Sequence, residues 1–361
     1  MNSNITSRPP PPPGGRFTWL TVILSFAKTA LVALGLAGLG TAACEDKPDA
    51  QQVSPTPVTA NPPTPASTPA FTLPRVVAFS PAVGIILSDL GYASTVVGRH
   101  GFDSFLSSTL PVCGDQDGVD YEALLAVSPT LIITQWGSRE LPARLATLSK
   151  QHNWLVHDER LLTLADIRGA VARLDLLARG QPIEPSGADG TNDPVARLSA
   201  SGRALWQQMD RAWSNRGGTS PRRVLLLASL SPPAAFGPGS CHHEILLAVA
   251  GPEAGALQGG AAYITLDQED LLNLRADVYI IIQPGPGESA PKKSDVASVN
   301  AASYVVSPGP LSPLPAGPAF SKMTVANTRI ITDPKAFIPS TAMISFADQL
   351  WLCLEQTKGN P

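Results

Sequence analysis

Two α/β lobes, each a doubly wound unit around a parallel sheet and bridged by one long helix, are predicted from three features of this 361-residue chain. Strand and helix signals alternate from Arg75 onward, the pattern of parallel βα units and not of a sandwich. One thirteen-residue unit occurs twice, 147 residues apart. A rod-like amphipathic stretch lies between the two copies.

The alternation begins with the β-branched run Arg75–Phe79, followed by an apolar helix that opens at Pro81 and stops at Gly91. A short strand at 95–98 follows. Asp120 opens a helix of one turn or so, broken at Ser128-Pro129 and leading into a buried strand at 131–134. Helix is expected over 141–151 and 164–179, with a strand at 154–157 between them. Beyond the polar break at 180–192, Asp193-Pro194 supplies an N-cap and a first-turn proline. Val195, Leu198, Leu205, Met209, Ala212 and Trp213 then recur at helical spacing, predicting one rod over 194–215, about 33 Å at ~1.5 Å per residue. The strand at 223–229 restarts the alternation, with helices at 242–250, 268–274 and 341–356 and a strand at 278–282.

The repeated unit is Tyr121-Glu122-Ala123-Leu124-Leu125, a helix break, and Leu131-Ile132-Ile133; its copy is Gln268-Glu269-Asp270-Leu271-Leu272, a break, and Val278-Tyr279-Ile280. Each copy is a surface acid, two leucines and an apolar strand. Two copies on either side of a rod suggest two similar lobes. This gives an N-terminal lobe at 75–192, a bridging helix at 193–217 and a C-terminal lobe at 218–357.

Residues 1–44 read as an export signal. Arg8, Arg16 and Lys28 are present without any acid, and the apolar core 29–43 ends in small residues before Cys44. Thr41-Ala42-Ala43-Cys44 resembles the lipobox of bacterial lipoproteins, in which the cysteine is lipidated, although Thr41 stands where leucine is usual. Ordinary signal-peptidase cleavage and a retained membrane anchor stay open as alternatives. Residues 45–74 hold eight prolines among small polar residues and read as a disordered tether.

From Cys44 onward, 23 basic residues face 29 acidic ones, which argues against nucleic acid as a partner, because neutralising phosphates needs a basic face. Cys113, Cys241 and Cys353 show no CxxC spacing, so a zinc knuckle is not expected; free thiols or one disulfide are both open.

Three segments in order, 75–102 with 118–137, 222–251, and 264–282 with 338–351, resemble the periplasmic binding proteins for iron–siderophores, haem and cobalamin, over essentially the whole of 75–355. The resemblance implies a solute receptor of an ABC importer: exported, monomeric, not an enzyme, needing no cofactor. It would bind an iron chelate or a corrinoid in a cleft between the lobes and deliver it to a permease dimer with its ATPase. It also implies the binding residues: Ser80, Pro81, Trp136, Gly137 and Ser138 in the first lobe, and Phe236, Ser240, His242, His243 and Gln283 in the second, the last followed by Pro284-Gly285. Aromatic faces suit large planar ligands and helix N-termini suit anionic chelates. Lobe packing is the alternative role for Trp136.

Glu122 and Glu269 have two readings. Acids at helix starts complement the helix dipole by roughly 0.3–1 kcal/mol. The resemblance instead implies one exposed glutamate per lobe that pairs with permease arginines.

The adjacent His242 and His243 point roughly 100° apart on a helix and do not jointly clasp one ion, so no dedicated metal site is expected. An axial contact to haem or cobalt is the functional reading for either, and a solvated or capping side chain the bland one. Ser25/Lys28 and Gly35/Gly38/Gly40 mimic catalytic and dinucleotide patterns, but both fall in the export signal. No Walker, GxSxG or HExxH string occurs. An exported α/β hydrolase-like enzyme, or a ligand-sensing protein on a Pro-rich stalk, is the alternative function.

Overall fold

The computed structural model describes residues 73–115, 118–137, 140–183, 194–214, 222–284, 320–324 and 326–357. The export signal, Cys44 and the tether lie outside them. Among the described residues, no helix is long and apolar enough to cross a membrane.

The first sheet is formed by β1 (Val76–Ala78), β2 (Val96–His100), β3 (Val112–Gly114), β4 (Leu131–Thr134) and β5 (Leu155–Asp158), in the order β3-β2-β1-β4-β5 with every pairing parallel. The second holds β6 (Val224–Leu230), β7 (Pro233–Phe236), β8 (Tyr263–Thr265), β9 (Val278–Gln283) and β10 (Thr328–Thr332), in the order β10-β9-β6-β7-β8. Its β10-β9-β6 part is parallel, whereas β7 runs antiparallel to both β6 and β8. The sequence concealed this hairpin, because Ser231-Pro232-Pro233 looks like a break; Pro233 instead begins β7 opposite Leu230.

Side-chain caps start the helices. Ser80 accepts from Ala82 N at the start of α1 (Pro81–Asp89), and Asp120 accepts from Glu122 N and Ala123 N at the start of α2 (Tyr121–Val127). Next come α3 (Ala143–Gln151) and α4 (Leu164–Ala178), the latter opened by a capping box of Thr163 and Asp166. In the second half, α5 (Ala200–Ala212) and α6 (Cys241–Ala250) are capped by Ser199 and Ser240, and α7 (Gln268–Asn273) by an Asp267/Asp270 box. The chain ends in α8 (Met343–Thr357).

The single rod predicted over 194–215 is corrected. Pro194–Arg197 form a turn, and α5 starts only at Ala200, giving a 13-residue helix of about 20 Å. Asp175, fully buried in α4, holds the cap in place: it accepts from Ser199 N at 2.8 Å and Ser199 Oγ at 2.5 Å, and Ser199 in turn accepts from Gly202 N. This contact delays the start of the helix within a spacing pattern that looks continuous. Bridging is shared. α4 opens against the second lobe, where Cys241 N donates to Leu162 O and Leu164 N to Glu244 Oε2 at 2.6 Å. Its inner face, Ile167, Ala170, Val171 and Leu174, joins one continuous core with Val83, Ile86 and Leu87 of α1 and with Ile245 and Phe346 of the second lobe. α5 abuts α8, with Trp213 Nε1 donating to Met343 O. Thr341 Oγ1 also donates to Asp89 Oδ2 at 2.5 Å, linking the end of α1 to the start of α8.

The repeat is structural as well as textual. Arg75 O accepts from Thr130 N and Leu131 N, and Arg223 O accepts from Asp277 N and Val278 N in the same way, so β1/β4 and β6/β9 are equivalent pairs.

Candidate functional site

Parallel α/β units carry their ligand loops at the C-terminal ends of the strands. In the first sheet that edge presents Phe102 after β2, Ser80 and Pro81 after β1, Gln135, Trp136 and Gly137 after β4, and Glu159 after β5. Ser80 is buried; its hydroxyl donates to Gln135 Oε1 at 2.5 Å while capping α1. Gln135 was not singled out in the sequence, though its place directly after an apolar strand was the available signal.

Trp136 is half-buried, its ring 6.0 Å from that of Phe79. Asp158 fixes the loop by accepting from Trp136 N at 2.7 Å and from Thr134 Oγ1 at 2.5 Å. Gly137 is exposed at φ +67°, a conformation that spares glycine the strain of a Cβ. Ser138 lies outside the described residues. Phe102, 57% exposed, was overlooked in the sequence because a lone aromatic in a loop carries no periodic signal.

Beside this edge, Glu159 is buried between His157 Nε2 at 2.9 Å and Arg173, whose Nη2 donates at 2.5 Å. Burial pushes its carboxyl up, but hydrogen bonds from His157 and Arg173 outweigh that and hold it below the usual range. The cluster stiffens the exit from β5 toward α4.

In the second lobe, Gln283 and Pro284 are exposed at the end of β9, and Gly285 lies outside the described residues. The string Phe236–His243 behaves otherwise. The ring of His242 stacks on Phe236 at 3.8 Å and meets Phe346 edge-on at 5.1 Å, and its Nε2 donates to Ala336 O at 2.6 Å. Burial drives it down to about 4. His243 is buried too and held below its usual value by burial; a Cβ on Gly255 would sit 2.4 Å from its ring. The reading of this pair as solvated side chains is corrected: the first turn of α6 is wedged against α8 and the α4 entrance, so both rings are buried. Phe236 and Ser240 are likewise buried.

Cys113, Cys241 and Cys353 are free and buried; burial lifts them to about 11, 12 and 12, so they are inert thiols. Among the described residues, no three His, Cys, Asp or Glu are grouped to hold a metal ion.

No family model and no curated relative matches the sequence. Solved structures do match in shape. The periplasmic heme-binding protein BhuT, in complex with two hemes, is 19% identical over 78% of this chain and 99% of its own, with a TM-score of 0.52. The periplasmic vitamin B12 binding protein BtuF of Vibrio cholerae gives 0.52 at 12% identity over 79% and 98%, and the heme-binding HutB of the same organism 0.51 at 17% over 80% and 99%. This chain has the periplasmic binding-protein fold.

Within that binding-protein fold the two echoed acids occupy similar local settings. Glu122 and Glu269 are each exposed, each the second residue of a short helix, and each preceded by a capping aspartate, Asp120 or Asp267. The following leucine is buried in both copies, Leu124 and Leu271. Each helix runs antiparallel to the strand it feeds. Arg75, at the start of β1, donates to Val127 O and Ser128 O at the far end of α2, while Arg223, at the start of β6, borders the end of α7 in a groove with Asp270, Asn273 and Leu274. Both glutamates therefore lie toward the strand C-terminal edge, the edge that carries Trp136 and Gln283.

Proposed function

We propose that the chain is the extracytoplasmic solute receptor of an ABC importer, taking an iron chelate, haem or a cobalamin-type corrinoid between its lobes and delivering it to a permease. One observation carries this reading: a half-buried tryptophan is clamped at the C-terminal edge of a parallel sheet, in a fold shared with heme- and vitamin B12-binding periplasmic proteins. Ser80, Pro81, Gln135, Trp136 and Gly137, with Ser138 beyond them, form the first-lobe contact. Gln283, exposed at the end of β9, is the second-lobe contact, and Phe236, Ser240, His242 and His243 are buried residues of that lobe. The alternative of an exported hydrolase or a stalked sensor has less support, because the structures it resembles are named as binding proteins.

The test is titration of the purified full chain with hemin, cyanocobalamin and a ferric hydroxamate chelate, following tryptophan quenching. Saturable quenching by one of the three supports the reading, and none by any of them removes it.

Two further parts belong to the same proposal. Cys44 carries the lipid anchor, so Cys44→Ser releases the protein from membranes; a variant that still pellets after carbonate washing refutes this. Glu122 and Glu269 dock the lobes on the two permease subunits, so the double reversal E122R/E269R keeps ligand affinity but loses uptake. Full uptake by that variant leaves helix-dipole stabilisation as their role.

A further inference from the structure

We infer that the space between the ligand-bearing edges of the two lobes is shut on one flank by a side-chain gate, Lys335 of the second lobe seated over the ring of Phe105 of the first. This rests on the reading of the chain as a solute receptor. It gives the two residues control over how fast solute enters and leaves.

The loops at the strand C-termini join the lobes in two places of unlike kind. On the side of β5 and β7 the joint includes main-chain groups: Cys241 N donates to Leu162 O at 2.9 Å, and Leu164 N to Glu244 Oε2 at 2.6 Å. Leu161 and Cys241 are buried there in the core that both lobes share. On the side of β2 and β10 the loops that leave those strands meet through side chains, with Lys335 Nζ 5.2 Å from the centre of the Phe105 ring. That distance is within cation–π range. The lobes also share a continuous core and the Thr341–Asp89 hydrogen bond, so this contact can open by side-chain rotation without the lobes separating.

Both members are presented by the same device. Phe105 N and Lys335 N each donate to Oδ1 of the aspartate two residues earlier, Asp103 at 2.8 Å and Asp333 at 2.7 Å, and both aspartates are buried. Asp103 Oδ1 also accepts from Leu106 N at 2.9 Å, and Leu106 belongs to the shared core. Asp333 Oδ2 accepts from Gln349 Nε2 at 2.9 Å. With both main chains pinned, the side chains are what is left to move. Both are half-buried, and among the described residues no carboxylate pairs with Lys335, so the ring is what holds its ammonium. The gate also borders the residues proposed to touch solute: Asp333 N donates to Gln283 O at 3.2 Å, and Phe102, 57% exposed, lies on the Phe105 loop.

The test is stopped-flow tryptophan quenching of the full chain, with whichever of hemin, cyanocobalamin and the ferric hydroxamate chelate binds it. K335Q and F105L remove the charge or the ring with little change in bulk. Each should raise the association and dissociation rate constants together by about fivefold, the factor a contact of this kind supplies, and leave Kd unchanged. K335R and F105Y, which keep the cation and the ring, should retain wild-type rates. The double variant K335Q/F105L should be no faster than either single one, because both remove the same contact. Unchanged melting curves establish that the variants are folded. A weaker Kd with an unaltered association rate makes the residue a solute contact and overturns the gate. Wild-type rates in K335Q and F105L overturn it too. Both results leave the receptor reading intact, whereas absence of quenching by all three probes removes that reading and the gate with it.

Discussion

His242 makes the chain acid-sensitive in a way that one substitution isolates. Its Nε2–H donates to Ala336 O, so Nδ1 is the free basic nitrogen, and it faces Cys241 Sγ at 3.7 Å. Protonating Nδ1 would place a cation between two phenylalanine rings with no carboxylate in contact. The imidazole is therefore depressed to about 4, against about 6.5 in the unfolded chain. The sign follows from proton binding: between these values the unfolded state binds the proton and the folded state does not, so stability falls as pH falls. The loss starts below about pH 6.5 and is complete below about pH 4. At about 1.4 kcal/mol per unit it totals about 3 kcal/mol. The assay is urea unfolding of wild type and His242→Gln at pH 7.5 and pH 4.5. The variant loses the stacking and is less stable at pH 7.5, but its disadvantage should shrink by about 2–3 kcal/mol at pH 4.5. A stability gap that is the same at both pH values would show that His242 titrates normally, and would refute its burial as described.

Trp136→Ala should weaken binding of whichever probe quenches the wild type, hemin or cyanocobalamin, by about 1–3 kcal/mol with little change in melting midpoint; a large drop in midpoint at unaltered affinity would make Trp136 a packing residue. Gly84→Ala should destabilise the first lobe by about 1–3 kcal/mol in urea, because its Cβ would stand 2.5 Å from the buried, unpartnered Asp103 Oδ2 and 3.0 Å from Leu106. Asp175→Ala should cost about 3 kcal/mol in the same assay, since Ser199, Arg179 and Tyr92 all donate to that buried carboxylate; a loss under about 0.5 kcal/mol would show that the hub is not what anchors α5.

How much of this was legible beforehand differs by element. Strands β1, β4, β6 and β9 were readable, because central parallel strands are continuous apolar runs; β1, β4 and β9 are buried almost throughout, and β6 over its first four residues. The helix starts at Pro81, Tyr121 and Gln268 were readable because Ser80, Asp120 and Asp267 are side-chain caps that act over three residues. The short strands β3, β7, β8 and β10 were missed. Three to five residues in length, they are strands only through their neighbours' hydrogen bonds.

The sequence by itself therefore determined the α/β alternation, the duplication of the Glu-Leu-Leu unit and the placement of Trp136 after a buried strand, all consequences of contacts within a few residues. Only the tertiary structure decided the fate of three features. The rod became a turn and one shorter helix because Asp175, 24 residues from Ser199, takes over its backbone N–H and hydroxyl. The paired histidines became core because Phe346, Phe236 and the carbonyl of Ala336, 94 residues away, close over His242. Trp136 is held at the sheet edge by Asp158 on the neighbouring strand. Each outcome turns on a partner that is distant along the chain, and local spacing carries no information about which distant group will arrive.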